Sequence, residues 1–190
     1  VVLVLLAHVT YLWTVHEDAF IAFRYAKNFA EGHGLRWNVD EPPVEGYTNF
    51  LWVVLLAGAR RLGLDLVTTS QWGGSLFAGG ALVVTAVLAR RLYPGRLLWV
   101  VPPLLLALSG AFAAWASSGM ETALFTFLLV LAVAREVAER ADPRRWPLAS
   151  VVLALAAMTR PEGALVFALV LAHRVGDPPG GQRDVRALAR

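Results

Sequence analysis

The chain has 190 residues, 57% of them hydrophobic and 16% charged, with a mean hydropathy of +0.58. A soluble domain carries about 25% charged residues, so this composition excludes an ordinary soluble fold and points to an all-α integral membrane protein. The net charge of +3 comes from arginines set between apolar runs, where membrane proteins place them, so nucleic acid is not an expected partner; the absence of cysteine excludes disulfide and thiol chemistry.

Residues 1–15 are an apolar run, short for a span of about 20 residues, and read as the end of a first span. With Val at the first position, the reading expects a chain that begins inside a longer protein. A cleaved signal peptide is the alternative, disfavoured because no small-x-small site follows. Glu17 and Asp18 come next. Two adjacent carboxylates where a helix leaves the bilayer resist ionising together, and acids at that boundary are functional candidates. The plainer reading makes Asp18 a helix cap.

Residues 19–31 predict a helix. Arg24, Lys27, Asn28 and Glu31 recur at i, i+3, i+4 and i+7 on one stripe, and Gly32 and Gly34 end it. Such a helix lies in the interface with its apolar side in the acyl boundary, holding Asp18 at headgroup depth with Arg24 near a lipid phosphate. Lys27 reads more simply as an interfacial charge. After Pro42-Pro43, the stretch Val44-Glu45-Gly46-Tyr47-Thr48-Asn49 leads into Phe50-Leu51-Trp52. Trp37, Tyr47 and Trp52 suit an interfacial belt and equally suit stacking on a sugar. Glu45, Tyr47 and Asn49 are poorly explained by anchoring alone.

Residues 50–59 are apolar but only about half a span. If they crossed, Arg90, Arg91 and Arg96 would fall outside, against the positive-inside rule. Residues 49–62 are therefore expected to be re-entrant or interfacial, and 16–72 to be one external segment. Further spans are expected within 73–175, from the apolar runs 73–89, 97–116, 123–134, 147–158 and 164–172. Residues 176–190 are expected to be a cytoplasmic loop leading to a next helix. Residues 65 and 118 then lie outside, and 95, 142 and 180 inside.

Two external turns carry further charge. Glu121 follows Ser117-Ser118-Gly119-Met120 and opens a helix; it either favours the helix dipole or has a partner, whether a cation, an arginine or a metal. In Thr159-Arg160-Pro161-Glu162-Gly163, Arg160 is the one positive charge between Trp146 and His173. It suits a bidentate contact with phosphate, or an internal pair with Glu162 or Glu121.

The segments Glu17-Asp18-Ala19-Phe20-Ile21-Ala22-Phe23-Arg24-Tyr25-Ala26, Glu31-Gly32-His33-Gly34-Leu35, Val44 to Trp52, Ser118-Gly119-Met120-Glu121-Thr122 and Thr159 to Gly163 together resemble GT-C fold membrane glycosyltransferases. The likeness is strongest to the branch containing the terminal β-(1→2) arabinofuranosyltransferase of the actinobacterial cell wall, and weaker to protein O-mannosyltransferases and the lipid A aminoarabinose transferase. It covers essentially all 190 residues. It implies one partial GT-C catalytic module, a multi-span helical bundle with external juxtamembrane helices after the first span. It further implies inverting transfer from a polyprenyl-phosphate sugar to a hydroxyl of a glycan, lipid or protein, on the external or periplasmic face of a bacterial cytoplasmic membrane.

Under that resemblance the catalytic acids are Asp18 and Glu17, with the choice of base open because the first acid is Asp in many relatives and Glu here. The reading of the residues themselves gives substrate binding to Arg24, Glu45, Tyr47, Asn49, Arg160 and Glu162, and the resemblance implies at Glu121 a carboxylate associated with a divalent metal (Mg or Mn) or with phosphate. A lipid-linked sugar carrier or flippase, and a non-catalytic membrane scaffold, are the alternatives. The carrier requires charges facing a pathway from both membrane faces.

Overall fold

The computed structural model describes residues 1–95, 97–142, 144 and 146–176. Among them every regular element is helical: α1 (Val2–Tyr11), α2 (Ala19–Ala30), α3 (Phe50–Arg61), α4 (Leu66–Leu92), a 3-10 turn (Leu97–Val100), α5 (Val101–Leu108), α6 (Gly110–Ala116), α7 (Thr122–Ala141), α8 (Leu148–Thr159) and α9 (Glu162–Gly176). The all-α class agrees with the composition. The expected loop 176–190 lies outside the described residues beyond Gly176, as do Arg96 and Arg145.

Helix α4, with 27 residues, is the one described helix that is by itself long and apolar enough to cross a membrane; at 1.5 Å per residue it is about 40 Å long. The run 97–116, expected as one span, is broken instead. The pair Leu97–Leu108 and Gly110–Ala116 bends by 62° and has the length and apolarity of a span only when taken together. The bend has a local cause. Ser109 adopts an extended backbone and its hydroxyl accepts from the Phe112 N–H, starting a new helix. The Ala107 carbonyl near the break faces His8 Nδ1 of α1 at 3.1 Å. Because a carbonyl only accepts, that nitrogen carries the proton.

The contacts sort the helix termini into two ends. Phe77 of α4 and Phe127 of α7 lie 5.7 Å apart, and the two helices start together, with Gly119 against Ser70 and Gly74 against Ala116. A Cβ on Gly74 would come within 2.3 Å of the Ala116 carbonyl oxygen, so only glycine allows this approach. Helix α8 runs back along α7. The Ala149 N–H at its start donates to Glu139 late in α7, and Arg160 at its end meets Glu121 at the start of α7. Helix α9 returns, so that Arg174 reaches Glu136 and Glu139.

One end of the bundle thus gathers residues 16–18, Asn49, the start of α4, the turn 117–121 and residues 160–162. The other gathers Arg90 and Arg91 at the end of α4 and Arg140 and Arg174 at the ends of α7 and α9. Helix α3 has 12 residues, about 18 Å, and stays at the first end. It starts beside Glu121 through Asn49, and it finishes four residues before Asp65, which caps α4 by accepting from the Thr68 N–H at 2.8 Å.

Helix α2 differs from its expected placement. Ala19, Ala22, Phe23, Tyr25 and Ala26 are buried in the same core as Trp52, Val53 and Leu56 of α3, with Leu124, Leu128 and Ala156 behind them. Alanines at 19, 22 and 26 let the neighbours close in, so most of the apolar side faces protein. Asn28, expected on the polar stripe, is buried and donates to the Arg36 and Trp37 carbonyls at 2.8 and 3.1 Å. Phe20, Ile21, Arg24 and Lys27 form the exposed side.

Candidate functional site

The turn between α6 and α7 organises this end of the molecule. Gly119 has φ +83°, and a Cβ there would lie 3.0 Å from the Ala19 Cβ, 3.2 Å from the Phe23 ring and 3.2 Å from the Ser70 hydroxyl. The buried Trp52 indole donates to the Gly119 carbonyl at 3.0 Å. The His16 N–H donates to the Ser118 carbonyl at 2.9 Å, and the Ser118 hydroxyl accepts from the Met120 N–H at 3.2 Å. The turn is therefore tied to the segment before α2, to α2 itself, to α3 and to α4.

Glu121 follows at once and is 5% exposed. Its side chain makes no capping bond to α7. One carboxylate oxygen accepts from Asn49 Nδ2 at 2.9 Å, and the other lies 3.6 Å from Arg160 Nη1. Arg160 also donates to Glu162 at 3.3 Å and stands over the Phe125 ring, 5.9 Å from its centroid. A half-buried arginine shared by two acids, one buried and one exposed, has a fixed head. The Glu162 carboxyl is held below the usual glutamate range, first by its own backbone N–H at the helix start and then by Arg160.

Glu17 and Asp18 are exposed at the start of α2. Asp18 sits at the capping position without a side-chain cap bond, so the simple capping reading is not what the geometry gives. His16 Nδ1 lies 3.3 Å from the Asp18 N–H and 3.5 Å from an Asp18 carboxylate oxygen. A neutral ring accepts from the first; a protonated ring pairs with the second. The ring packs against Trp115, with centroids 5.5 Å apart. His16 is the residue that sequence reasoning passed over, although it directly precedes the acidic pair.

The remaining candidates divide. Asn49, Glu121, Arg160 and Glu162 form one connected set. Tyr47 packs between Tyr25 and Phe50, at 4.9 and 6.5 Å. Its neighbour Glu45 is exposed on a loop that Tyr25 pins by donating to the Val44 carbonyl at 2.7 Å. Arg24 belongs to neither group: it donates to the Trp37 carbonyl at 2.7 Å and to Asn38, with its guanidinium 4.5 Å from the centroid of the Trp37 ring.

A divalent metal at Glu121 does not fit these residues. Both carboxylate oxygens face nitrogen groups, one of them cationic, and among the described residues no three His, Asp or Glu side chains group as metal ligands. No step below is routed through a metal.

The buried charges at the opposite end are consumed in pairs. Arg174 contacts Glu136 and lies 2.7 Å from Glu139, while Arg140 lies 2.9 Å from Glu136. Together they join α7 to α9.

No protein-family model, curated protein or solved structure matches this chain.

Proposed function

We propose that this chain is the catalytic membrane module of a GT-C type glycosyltransferase, moving a sugar from a polyprenyl-phosphate donor to an acceptor hydroxyl on the external face of a bacterial cytoplasmic membrane. The observation that carries the reading is the buried Glu121, held by Asn49 and Arg160 in a turn that also binds the segment bearing Asp18. Four separate stretches of an apolar chain deliver ionisable or amide groups to one end. Charges in such a chain are costly and mark function.

In this proposal the acceptor hydroxyl attacks the anomeric carbon, the carbon–oxygen bond to the lipid phosphate breaks, and configuration inverts. Asp18 takes the hydroxyl proton, with Glu17 beside it. His16 sets the orientation of the Asp18 carboxylate. Arg160 offsets the charge growing on the leaving phosphate, and Asn49 and Glu121 fix the arginine. Glu162 keeps that guanidinium oriented until phosphate arrives. Glu45 and Tyr47, on the loop next to Asn49, contact the sugar in this proposal. The multi-span topology belongs to this reading, with α4 as one span and the bent α5–α6 pair as another.

The carrier alternative is disfavoured because, among the described residues, the acids at the far end, Glu136 and Glu139, are already paired with Arg140 and Arg174. The experiment is transfer from a panel of polyprenyl-phosphate sugars by the full-length protein. Asp18→Asn is expected to lower turnover by about 10²–10⁴-fold with donor binding retained, and Glu17→Gln to cost less. Near-normal turnover in both variants would leave these acids a structural role only.

A further inference from the structure

A second polar feature at the same end lies apart from the acids. An open cleft of about 610 Å³ runs between α2 and the start of α4. Its apolar walls include Phe20, Phe23 and Leu66, and its polar rim carries Arg24, Lys27 and Trp37. Asp18, Glu121 and Arg160 do not line it.

The two cations are differently prepared. Arg24 is fixed by the Trp37 carbonyl, by Asn38 and by the face of the Trp37 ring, which leaves Nη1 with no partner among the described residues. Lys27, one turn along, is exposed, and among the described residues its ammonium has no hydrogen bond and no ion pair. Asp65, which precedes Leu66 of the far wall, is turned to the Thr68 N–H at 2.8 Å, which offsets its charge. An anion entering the cleft meets a preorganised guanidinium and an exposed ammonium.

The apolar half of the cleft argues for what carries the anion. Phe20 is 55% exposed beside it. Leu66 is the first residue of α4, the helix long enough to cross a bilayer, so the cleft opens where that helix begins. A soluble anion leaves these walls bare; a lipid covers them.

We propose that this cleft is a binding site for an anionic bilayer phospholipid. Its phosphate sits between Arg24 and Lys27, and the upper part of an acyl chain lies along Phe20, Phe23 and Leu66. Charge-assisted contacts to phosphate hold the head, and apolar burial holds the chain. The site stands apart from the transfer step: Arg24, expected from the sequence as a substrate-binding residue, lies outside the set around Glu121, and Lys27, Phe20 and Leu66 have no part in the proposed chemistry. A lipid there would fix α2 against α4.

The test is lipid retention by the whole chain in detergent, titrated with phosphatidylglycerol, phosphatidylcholine or inorganic phosphate and read by native mass spectrometry. One phosphatidylglycerol is expected to bind at least about fivefold more tightly than phosphatidylcholine, the worth of one lysine at an anionic surface. Lys27→Gln, which removes no contact of the fold, is expected to abolish that preference, Lys27→Arg to restore it, and Arg91→Gln at the opposite end to leave it unchanged. Phe20→Ser should weaken both lipids. Equal retention of the two lipids by the unaltered chain, or an unchanged preference in Lys27→Gln, would overturn the proposal. So would displacement of phosphatidylglycerol by equimolar inorganic phosphate, which would make this a site for a soluble anion.

Discussion

The Asn49 amide donates to the Glu121 carboxylate at 2.9 Å across 72 residues of sequence, joining the start of α3 to the start of α7. A buried carboxylate with a donor on one oxygen and a guanidinium near the other is stable only while both remain. Asn49→Ala leaves one oxygen of a buried carboxylate without its donor, and is expected to cost about 1–3 kcal/mol. Thermal unfolding in detergent measures this. In a double-mutant cycle with Glu121→Ala, which removes the acceptor, the two losses should not add, because they report one contact.

Gly74 predicts a steric effect. The Cβ of Gly74→Ala would meet the Ala116 carbonyl at 2.3 Å, and backbone cannot move aside as a side chain can. The start of α4 must separate from the end of α6, with a loss of roughly 1–3 kcal/mol typical of overpacking. The same substitution at Gly79, where a Cβ meets nothing, is the control and should be neutral or slightly stabilising. Comparing the two melting temperatures separates packing from helix propensity.

Asp65 predicts a pH effect. Its carboxyl is held below the ordinary value of 3.8, chiefly by the Thr68 N–H and then by the Thr68 hydroxyl, with burial opposing. A depressed folded value means that its stabilisation is complete above the unfolded pKa and is lost as pH falls through the folded one. Asp65→Ala is expected to cost about 1 kcal/mol at neutral pH, as loss of a helix cap does. The difference from the unaltered chain should shrink in acid below the 3.8 mark. A gap of constant size between neutral pH and strong acid would contradict the assignment.

The placement of the two ends predicts labelling. The chain lacks cysteine, so single introduced thiols report cleanly. Leu64→Cys and Glu45→Cys should react with an impermeant maleimide in intact cells, while Tyr93→Cys and Trp146→Cys should be protected. Protection of the first pair with exposure of the second would reverse the orientation. Opposite behaviour of the two residues within a pair would break the two-ended arrangement itself.

Much of the helical framework was legible because it rests on local signals. The helix read at 19–31 is Ala19–Ala30, and the half-span read at 49–62 is Phe50–Arg61. The run read at 73–89 is longer, Leu66–Leu92, because Asp65 caps it upstream of a polar turn that apolarity alone discounts. The break at Ser109 was missed although Ser-Gly is a turn signal; the apolar residues on both sides outweighed it. At the site, residue types could be named but not joined. Nothing in a separation of 39 residues says that Arg160 reaches Glu121 at 3.6 Å. Asn28 went inward because the Arg36 and Trp37 carbonyls needed a donor, a demand set by the loop and invisible in helical periodicity.

The break between α5 and α6 also sets a depth. Seven residues of α6 continued straight would carry the chain about 10 Å further along the direction of α5; tilted by 62°, they advance only about 5 Å in that direction and travel about 9 Å sideways. The kink acts as a lever that trades height for lateral reach. It carries the turn with Glu121 sideways to the start of α4, where Gly119 meets Ser70 and Gly74 meets Ala116.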